Sequence, residues 1–568
     1  MSKLKLLSKL LPILHWLPLY QRKTFIGDLG ASLIVAVLLI PQSLAYALLA
    51  GLPPQAGIYA SILPLVVYAF FASSMVQSVG PMAISAAMTA SALAPLAAIG
   101  SPEYSALAAS LALLSGLFLA LLGLLRLGFI TQLLSHPVIN GFSSGAAILI
   151  IVGQIGPLLG IRVEGEHLGQ LLWQLSHALP QIQAFGLICL VLLWLAGRPL
   201  TQLLNKISYG AALAKLSPLL LMLIISAAVF FLKINTPLTG SFSSSMPRLF
   251  WPVLNQSAFN QLWLPAITIG LAGFLQSITI AQSLALKAKR SVDSNQELIG
   301  LGAANIAAAA SGGFPVSGGF SRTAVNAASG ANTPLAGVMT AIWIALAAYS
   351  LNDYLTLIPQ SLLAATIILV AIRLIDFDFL IRSWRYDRRD GAAFACTVLA
   401  VLALGVMQGI LAGVGLSLLL FLYRSSQPHI AVVGRIAGTE HYRNINRFNT
   451  QTSDHIVAVR IDESLYFGNS AKIQTELMHI LEKAPKTQHL VLILSAVNSI
   501  DYSAMQAIGL LQENLRARQI KIHLSDVKGP VMDHLLRSEM LSTLDGEIFL
   551  SAHLAMQALS GETEDFSI

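Results

Sequence analysis

Charge is what this chain has least of. Of 568 residues, 11% are Asp, Glu, Lys or Arg, whereas 55% are hydrophobic. A soluble domain carries about a quarter charged residues, so these charges cannot cover a water-facing surface. Cysteine is nearly absent: Cys189 and Cys396 both lie inside apolar runs. That excludes a disulfide framework, and neither has metal-ligand spacing. No Gly-Lys-Ser/Thr follows a glycine-rich stretch, which excludes a phosphate-binding P-loop. Paired carboxylates, nucleophile–base arrangements and metal clusters are missing too, so neither an enzyme nor a cofactor is expected. The net charge is +7, yet the basic residues form no single patch, and nucleic acid is not an expected partner. They sit at the ends of apolar runs. With a mean hydropathy of +0.72, the expected solvent is the lipid bilayer.

Apolar runs suited to ~30 Å of hydrocarbon recur near 27–49, 55–72, 80–98, 104–125, 131–157, 182–197, 210–232, 263–285, 296–311, 320–332, 335–350, 356–372, 391–407 and 408–423. The third, ninth and tenth are too short or too broken to be plain spans. Basic residues follow the even-numbered runs: Arg126, then Arg198 and Lys206, then Lys287, Lys289 and Arg290. Arg373, Arg382, Arg385, Arg388 and Arg389 follow the twelfth, and Arg424 the last. The loops at 158–181 and 233–262 are poorer in Lys and Arg. By the positive-inside rule both termini are expected in the cytoplasm, in a multi-pass protein of the cell's inner (plasma) membrane. Lys3, Lys5 and Lys9 before a leucine-rich run superficially suggest a signal peptide. Pro12, His15, Trp16 and Pro18 interrupt that run and no small-residue cleavage site follows, so 1–26 reads as a cytoplasmic, interfacial segment.

After Arg424 the composition changes. Residues 425–452 read as a linker from the transmembrane domain, 27–424, to a final domain over 453–568. There Ile456–Val459, Leu490–Leu494 and Ile520–Leu524 read as short buried strands. Helices are expected at 470–484, 503–518, 529–540 and 551–559, giving a small α/β domain.

Two interrupted segments carry the functional signal. Gln77-Ser78-Val79-Gly80-Pro81-Met82-Ala83-Ile84-Ser85 precedes one helix-forming run, and Ser317-Gly318-Gly319-Phe320-Ser321-Arg322-Thr323-Ala324-Val325-Asn326 opens another. Non-helical backbone at membrane depth is tolerated only inside protein or around a wet cavity. Paired interruptions in corresponding halves point to a transporter's central site. Each helix start offers free N–H groups and about +0.5 of an elementary charge, so with Arg322 the total is roughly +2, suited to a dianion. The competing reading is an arginine snorkelling to the interface.

These residues resemble the SulP family, the bacterial and plant relatives of the solute-carrier-26 anion transporters. The resemblance runs the whole length, from Leu11-Pro12-Ile13-Leu14-His15-Trp16-Leu17-Pro18 onwards. It is carried by Ile40-Pro41-Gln42-Ser43-Leu44-Ala45-Tyr46, by Pro54-Gln55-Ala56-Gly57-Ile58-Tyr59 leading to Gly80-Pro81-Met82-Ala83, and by Phe320–Asn326. It implies an α-helical polytopic membrane protein of about fourteen segments in two inverted seven-segment repeats. A mobile core would move the anion against a gate, in a homodimer. The implied substrate-binding residues are Gln42 and Tyr46, Ala83, Ile84 and Ser85, Gln276, and Ser321, Arg322 and Thr323. Gln42 and Tyr46, at i and i+4, share a helix face; their alternative role is interhelical glue. The C-terminal domain resembles a STAS domain. The serine phosphorylated in its antagonist relatives falls at Ser503, although Ile493 and Ala504 depart from that pattern. The simpler reading makes Asp501 or Ser503 a helix N-cap.

One departure bears on mechanism. Many proton-coupled relatives have glutamate where this chain has Gln276, and glutamine cannot titrate, so no eighth-segment proton relay is expected. Moving two negative charges inward against 100 mV costs about 4.6 kcal/mol, which opposes uncoupled sulfate import more than a thousandfold. Another group must carry a coupling cation, H⁺ or Na⁺, or the protein exchanges anions, or the substrate is monovalent. Asp28 and Glu297, the remaining acids near the membrane, read as helix N-terminal charges. The leading expectation is secondary active transport of a small inorganic anion, sulfate first. Bicarbonate, a C4-dicarboxylate, a channel-like anion pathway and a membrane-tethered STAS scaffold are the alternatives.

Overall fold

The computed structural model describes residues 11–560 except 130–134, 162–167, 179–183, 198–209, 235, 239–251, 253–254, 351–353, 355 and 539. Contacts divide the chain into two units that meet between Ser417 and Leu418.

In the first unit a helix coincides with every expected segment. These are α1 (Arg22–Leu49), α2 (Pro54–Phe71), α3 (Ala83–Leu93), α4 (Pro102–Leu124), α5 (His136–Leu158), α6 (Phe185–Gly197) and α7 (Gly210–Phe231). The second half holds α8 (Gln256–Lys287), α9 (Ser294–Ala310), α10 (Phe320–Ala328), α11 (Leu335–Ser350), α12 (Gln360–Ile372), α13 (Arg388–Leu404) and α14 (Val406–Ser425). Two further helices, Leu168–Ala178 and Phe377–Tyr386, fall between the expected segments. Among the described residues, six helices are long and apolar enough to cross a membrane unaided: α1, α2, α4, α5, α8 and α14. At 1.5 Å per residue α3 and α10 span only about 14–17 Å, roughly half the hydrocarbon. Each is a half-helix whose approach to the core is extended chain.

Packing sorts these helices into two groups. Helix α4 lies on α9 and α8, α2 on α9 and α11, and α1 on α2, α10 and α11; separately, α5 lies on α12 and α13, and α6 on α7 and α12. These groups match the expected core and gate. The α4–α9 crossing depends on small residues. A Cβ on Gly116 would lie 2.7 Å from the Gly302 carbonyl oxygen, and one on Gly302 would lie 2.7 Å from Ala120 N. Helices in lipid associate by such close approach, since burying apolar surface gains little there.

The two acids are placed differently from expectation. Asp28 lies inside α1, not at its start, and is fully buried. It accepts from Asn332 N at 2.6 Å, Thr333 N at 3.2 Å, Thr333 Oγ1 at 2.5 Å and Tyr20 Oη at 3.1 Å. It therefore caps the turn into α11 from another helix. Glu297 does lie in the first turn of α9, but it too is fully buried. It accepts from Tyr68 Oη at 2.6 Å, from Ser73 N and Oγ at 2.8 Å, and from Ser74 N at 2.7 Å. Each carboxylate accepts four hydrogen bonds, and both fasten the loops that enter and leave the half-helices.

The second unit is built on a six-stranded sheet in the order β4-β3-β5-β6-β7-β8. Strands β3 (Ile430–Arg435) and β4 (Tyr442–Asn444) precede β5 (Ile456–Ile461), β6 (His489–Ile493), β7 (Lys521–Ser525) and β8 (Ile548–Phe549). Strands β5 to β8 pair in parallel, and β3 pairs antiparallel to both β4 and β5. The linker expected over 425–452 thus contains two strands of this sheet, Ile430–Arg435 and Tyr442–Asn444. Strand β4 escaped notice because it lies at a solvated edge with no buried residue. Helices α15 (Ser470–Lys483) and α16 (Tyr502–Arg516) bury Ile473, Leu477, Leu511 and Leu515 on one face of the sheet. Two shorter helices, α17 (Gly529–Leu536) and α18 (Met540–Thr543), follow, and α19 (Ala552–Ser560) covers the opposite face with Ala552 and Ala555. Asp501 caps α16, accepting from Ala504 N at 2.8 Å and Phe467 N at 2.8 Å; Ser503 is exposed.

His523 of β7 supplies a pH dependence. Its Nδ1 accepts from Glu547 N at 3.0 Å, so the neutral ring carries its proton on Nε2, which faces His489 Nδ1 at 3.0 Å. Burial, then the His489 and Lys521 charges, push its pKa down to about 4. The folded ring stays neutral while the unfolded one takes up a proton below ~6.5. Stability is therefore full above that value and falls as pH drops toward 4, by about 2 kcal/mol near pH 4.5. Hydrogen-exchange protection of β7 and β8 in the intact protein should fall over this window, and His523→Asn should flatten the dependence.

Candidate functional site

The two interrupted segments meet. Strand β1 (Val79–Gly80) pairs antiparallel with β2 (Ser317–Gly318), Val79 opposite Gly318 and Gly80 opposite Ser317. An antiparallel pair is what inverted repeats require, because the third and tenth segments enter from opposite faces. Gly319 N adds a bond to Ser78 O at 3.1 Å. The neighbouring helices satisfy the remaining backbone groups. Ser277 Oγ of α8 accepts from Gly318 N at 2.6 Å and donates to Gly273 O at 2.7 Å. Asn305 of α9 clasps Val316, donating to its oxygen and accepting from its nitrogen, both at 2.9 Å. Asn326 donates to Val76 O at 2.8 Å, and Thr323 Oγ1 accepts from Ser78 N at 3.2 Å.

Helices α3 and α10 leave this two-stranded ribbon in opposite directions. Neither has a side-chain cap: their N-caps are Met82 and Gly319. The first helical bonds run from Ala86 N to Met82 O and from Thr323 N to Gly319 O. The N–H groups of Ala83, Ile84 and Ser85, and of Phe320, Ser321 and Arg322, therefore lie outside the helical ladders. Arg322 is 2% exposed. Its Nη1 donates to Pro81 O at 2.6 Å, so the side chain reaches across the ribbon toward the start of α3. Gly319 makes room for it: a Cβ there would lie 3.0 Å from Cζ, Nε and Nη2. Nε and Nη2 have no partner among the described residues, nor do Gln77 Nε2 and Oε1, Ser78 Oγ or Asn326 Oδ1. Buried polar atoms are normally paired. Here six unpartnered atoms from Arg322, Gln77, Ser78 and Asn326 gather around one ribbon.

The expected residues divide accordingly. Arg322 and the starts of α3 and α10 come together. Tyr46 is buried within electrostatic reach of Arg322. Ser85 shares a hydroxyl contact with Ser317 at 3.3 Å, and the Thr323 hydroxyl braces β1 against α10. Gln42 and Gln276 are half-buried and Ser321 is exposed; none has a hydrogen-bonding partner among the described residues. Gln77, Ser277 and Asn305 are additions to the expected set. The signal for Gln77 was a polar side chain beside a glycine break at membrane depth. Ser277 and Asn305 act on backbone groups across the fold, and no local pattern announces that.

A helical membrane bundle of two inverted halves, joined to an α/β unit, defines a polytopic membrane transporter. Residues 25–397 match the sulfate permease family and 447–555 match the STAS domain; the chain belongs to the sulfate permease family. It is 34% identical over 569 residues to sulfate transporter 4.1, chloroplastic, of Arabidopsis thaliana, covering 97% of this chain and 82% of that one. It is 33% identical over 551 residues to a "probable sulfate transporter" of Mycobacterium tuberculosis, covering 95% and 96%. Its fold is that of the murine solute carrier 26 family member A9 anion transporter in the inward-facing state. That match has a TM-score of 0.88 at 22% identity and covers 97% and 94% of the two chains. The transmembrane domain of a cyanobacterial bicarbonate transporter, BicA, matches at a TM-score of 0.60 and 20% identity over 70% of this chain and 98% of that one.

Gln77 separates a structural from a ligand-binding use of the orphan atoms. An unpaired buried polar group costs roughly 1–3 kcal/mol, so Gln77→Leu should leave thermal stability equal or higher. If the amide meets the anion, the same change should raise the half-saturating concentration about tenfold. Unfolding in detergent and uptake by proteoliposomes read the two effects separately.

Proposed function

We propose that this protein is a secondary active transporter of a small inorganic anion, sulfate first. The anion is held between the starts of α3 and α10 and moved by an elevator-like displacement of the α1–α4 and α8–α11 group against the gate. The carrying observation is Arg322, buried, with two unpartnered nitrogens and no salt-bridged carboxylate among the described residues. With two uncapped helix starts, the local charge of roughly +2 matches a dianion. Backbone N–H groups and a guanidinium are also the donors an oxyanion takes. Sulfate is the substrate named for the Arabidopsis and Mycobacterium relatives, whose alignments cover 97% and 95% of this chain.

Coupling follows from what surrounds the site. Gln276 cannot titrate, and Asp28 and Glu297 each fasten a loop through four accepted hydrogen bonds. We assign none of the three a proton-carrying role. Anion exchange meets the energetic demand without one, and Na⁺ symport is the other route. We place the protein in the inner membrane as a homodimer with both termini in the cytoplasm, following its loop charges and family.

The test is labelled-sulfate uptake into proteoliposomes with excess bicarbonate, succinate or chloride, at two pH values. Saturable, trans-stimulated uptake that is insensitive to an inward proton gradient supports the reading. Arg322→Ala should lower it about a hundredfold. Unchanged transport by that variant would sink the site, and stronger inhibition by bicarbonate or succinate than by sulfate would reassign the substrate. Conductance without trans-stimulation would reassign the protein to the channels.

A further inference from the structure

The helix Phe377–Tyr386 connects α12 to α13 and is part of neither. So short a connection cannot recross the bilayer, so both flanking spans meet one membrane face there. One edge of the helix is anchored. Asp376 N donates to Ser144 Oγ of α5 at 3.2 Å, and Phe379 stacks on Phe394 of α13 with ring centroids 5.9 Å apart. Trp384 lies so close to Gly391 that a Cβ there would come within 2.5 Å of its ring. The other edge is open: no residue of the helix is buried, and Phe377 and Ile381 are 58% and 50% exposed.

Phe377 and Ile381, at i and i+4, form an apolar stripe on the open edge. Arg382 and Arg385 run beside it, and Arg388 and Arg389 open α13 directly after. All four arginines are exposed, and their side chains have no hydrogen bond or ion pair among the described residues. Of the nearby acids, Asp376 accepts from Phe379 N and Asp387 from Arg389 N, each at 2.8 Å, as N-caps; Asp378 and Asp390 stand in the first turns of the two helices and make no ion pair with these arginines among the described residues. Apolar side chains facing outward at a membrane boundary, flanked by unpaired guanidinium groups, match one occupant chemically. A phospholipid presents an acyl boundary to the stripe and phosphate oxygens to the forks of arginine. A free anion would meet only the exposed charges, where screening leaves little attraction.

We propose that Phe377–Tyr386 is an in-plane docking helix for anionic phospholipid headgroups, with Arg382 and Arg385 on the phosphates and Phe377 and Ile381 in the acyl boundary. The full-length protein is purified from mixed micelles of phosphatidylglycerol and phosphatidylcholine, and the bound lipid is quantified by native mass spectrometry. Phosphatidylglycerol should be enriched on the wild type. Arg382→Gln and Arg385→Gln should each lower the enrichment about fivefold, whereas the double lysine replacement should keep most of it. Equal enrichment in wild type and both glutamine variants would overturn the proposal. So would displacement of the lipid by millimolar inorganic sulfate at constant ionic strength, because the arginines would then be holding a free anion.

Discussion

A backbone that leaves the helix inside a bilayer must find partners for its own N–H and C=O groups, and here it finds them in a second broken backbone. The β1–β2 ribbon is that solution. It forces the third and tenth segments to run antiparallel, so that α3 and α10 begin close together and depart in opposite directions. Ser277, Asn305, Thr323 and Asn326 supply the partners that two strands of two residues cannot. Lipid offers no substitute for any of these bonds, so the ribbon and its supporting helices stand or fall together. The close α4–α9 crossing through Gly116 and Gly302 then reads as scaffolding that holds α8 and α9 against the ribbon.

Against this satisfied background the orphan atoms acquire meaning. Core packing could have placed an apolar side chain at 77 or paired Arg322 with an acid, and it does neither. Two fully buried carboxylates are present, yet both are bound to loops and neither forms a salt bridge with Arg322. Keeping those negative charges off the guanidinium leaves the centre electropositive for an anion. The proposed anion exchange needs no titrating group at Gln276.

Much of this was legible in the sequence, for reasons of unequal strength. Each expected segment has a helix because long apolar runs have few alternatives in lipid. The half-helices were visible as Gly-Pro and Gly-Gly breaks at membrane depth, and Arg322 as a charge with no evident neighbour. Bonds made by side chains to distant backbone were not legible: Ser277 to Gly318, Asn305 to Val316, and Asp28 to the turn before α11 join segments far apart in the chain. Asp28 in particular looked like a helix-start charge because the beginning of α1 at Arg22 is masked by polar residues. Strand β4 was read as linker because the edge of a small sheet carries too little apolar alternation to declare itself, and the short apolar run of β3 lies in the stretch directly after the last transmembrane helix.

The central claim is one of position: the anion sits between Arg322 and the first turns of α3 and α10. Selenate has the charge and shape of sulfate and scatters anomalously. Crystals of the intact protein grown in selenate should show a selenium peak about 4 Å from Arg322 Nη2, within reach of the N–H groups of Ala83 to Ser85. A peak elsewhere in the bundle, with none beside Arg322, would contradict the account.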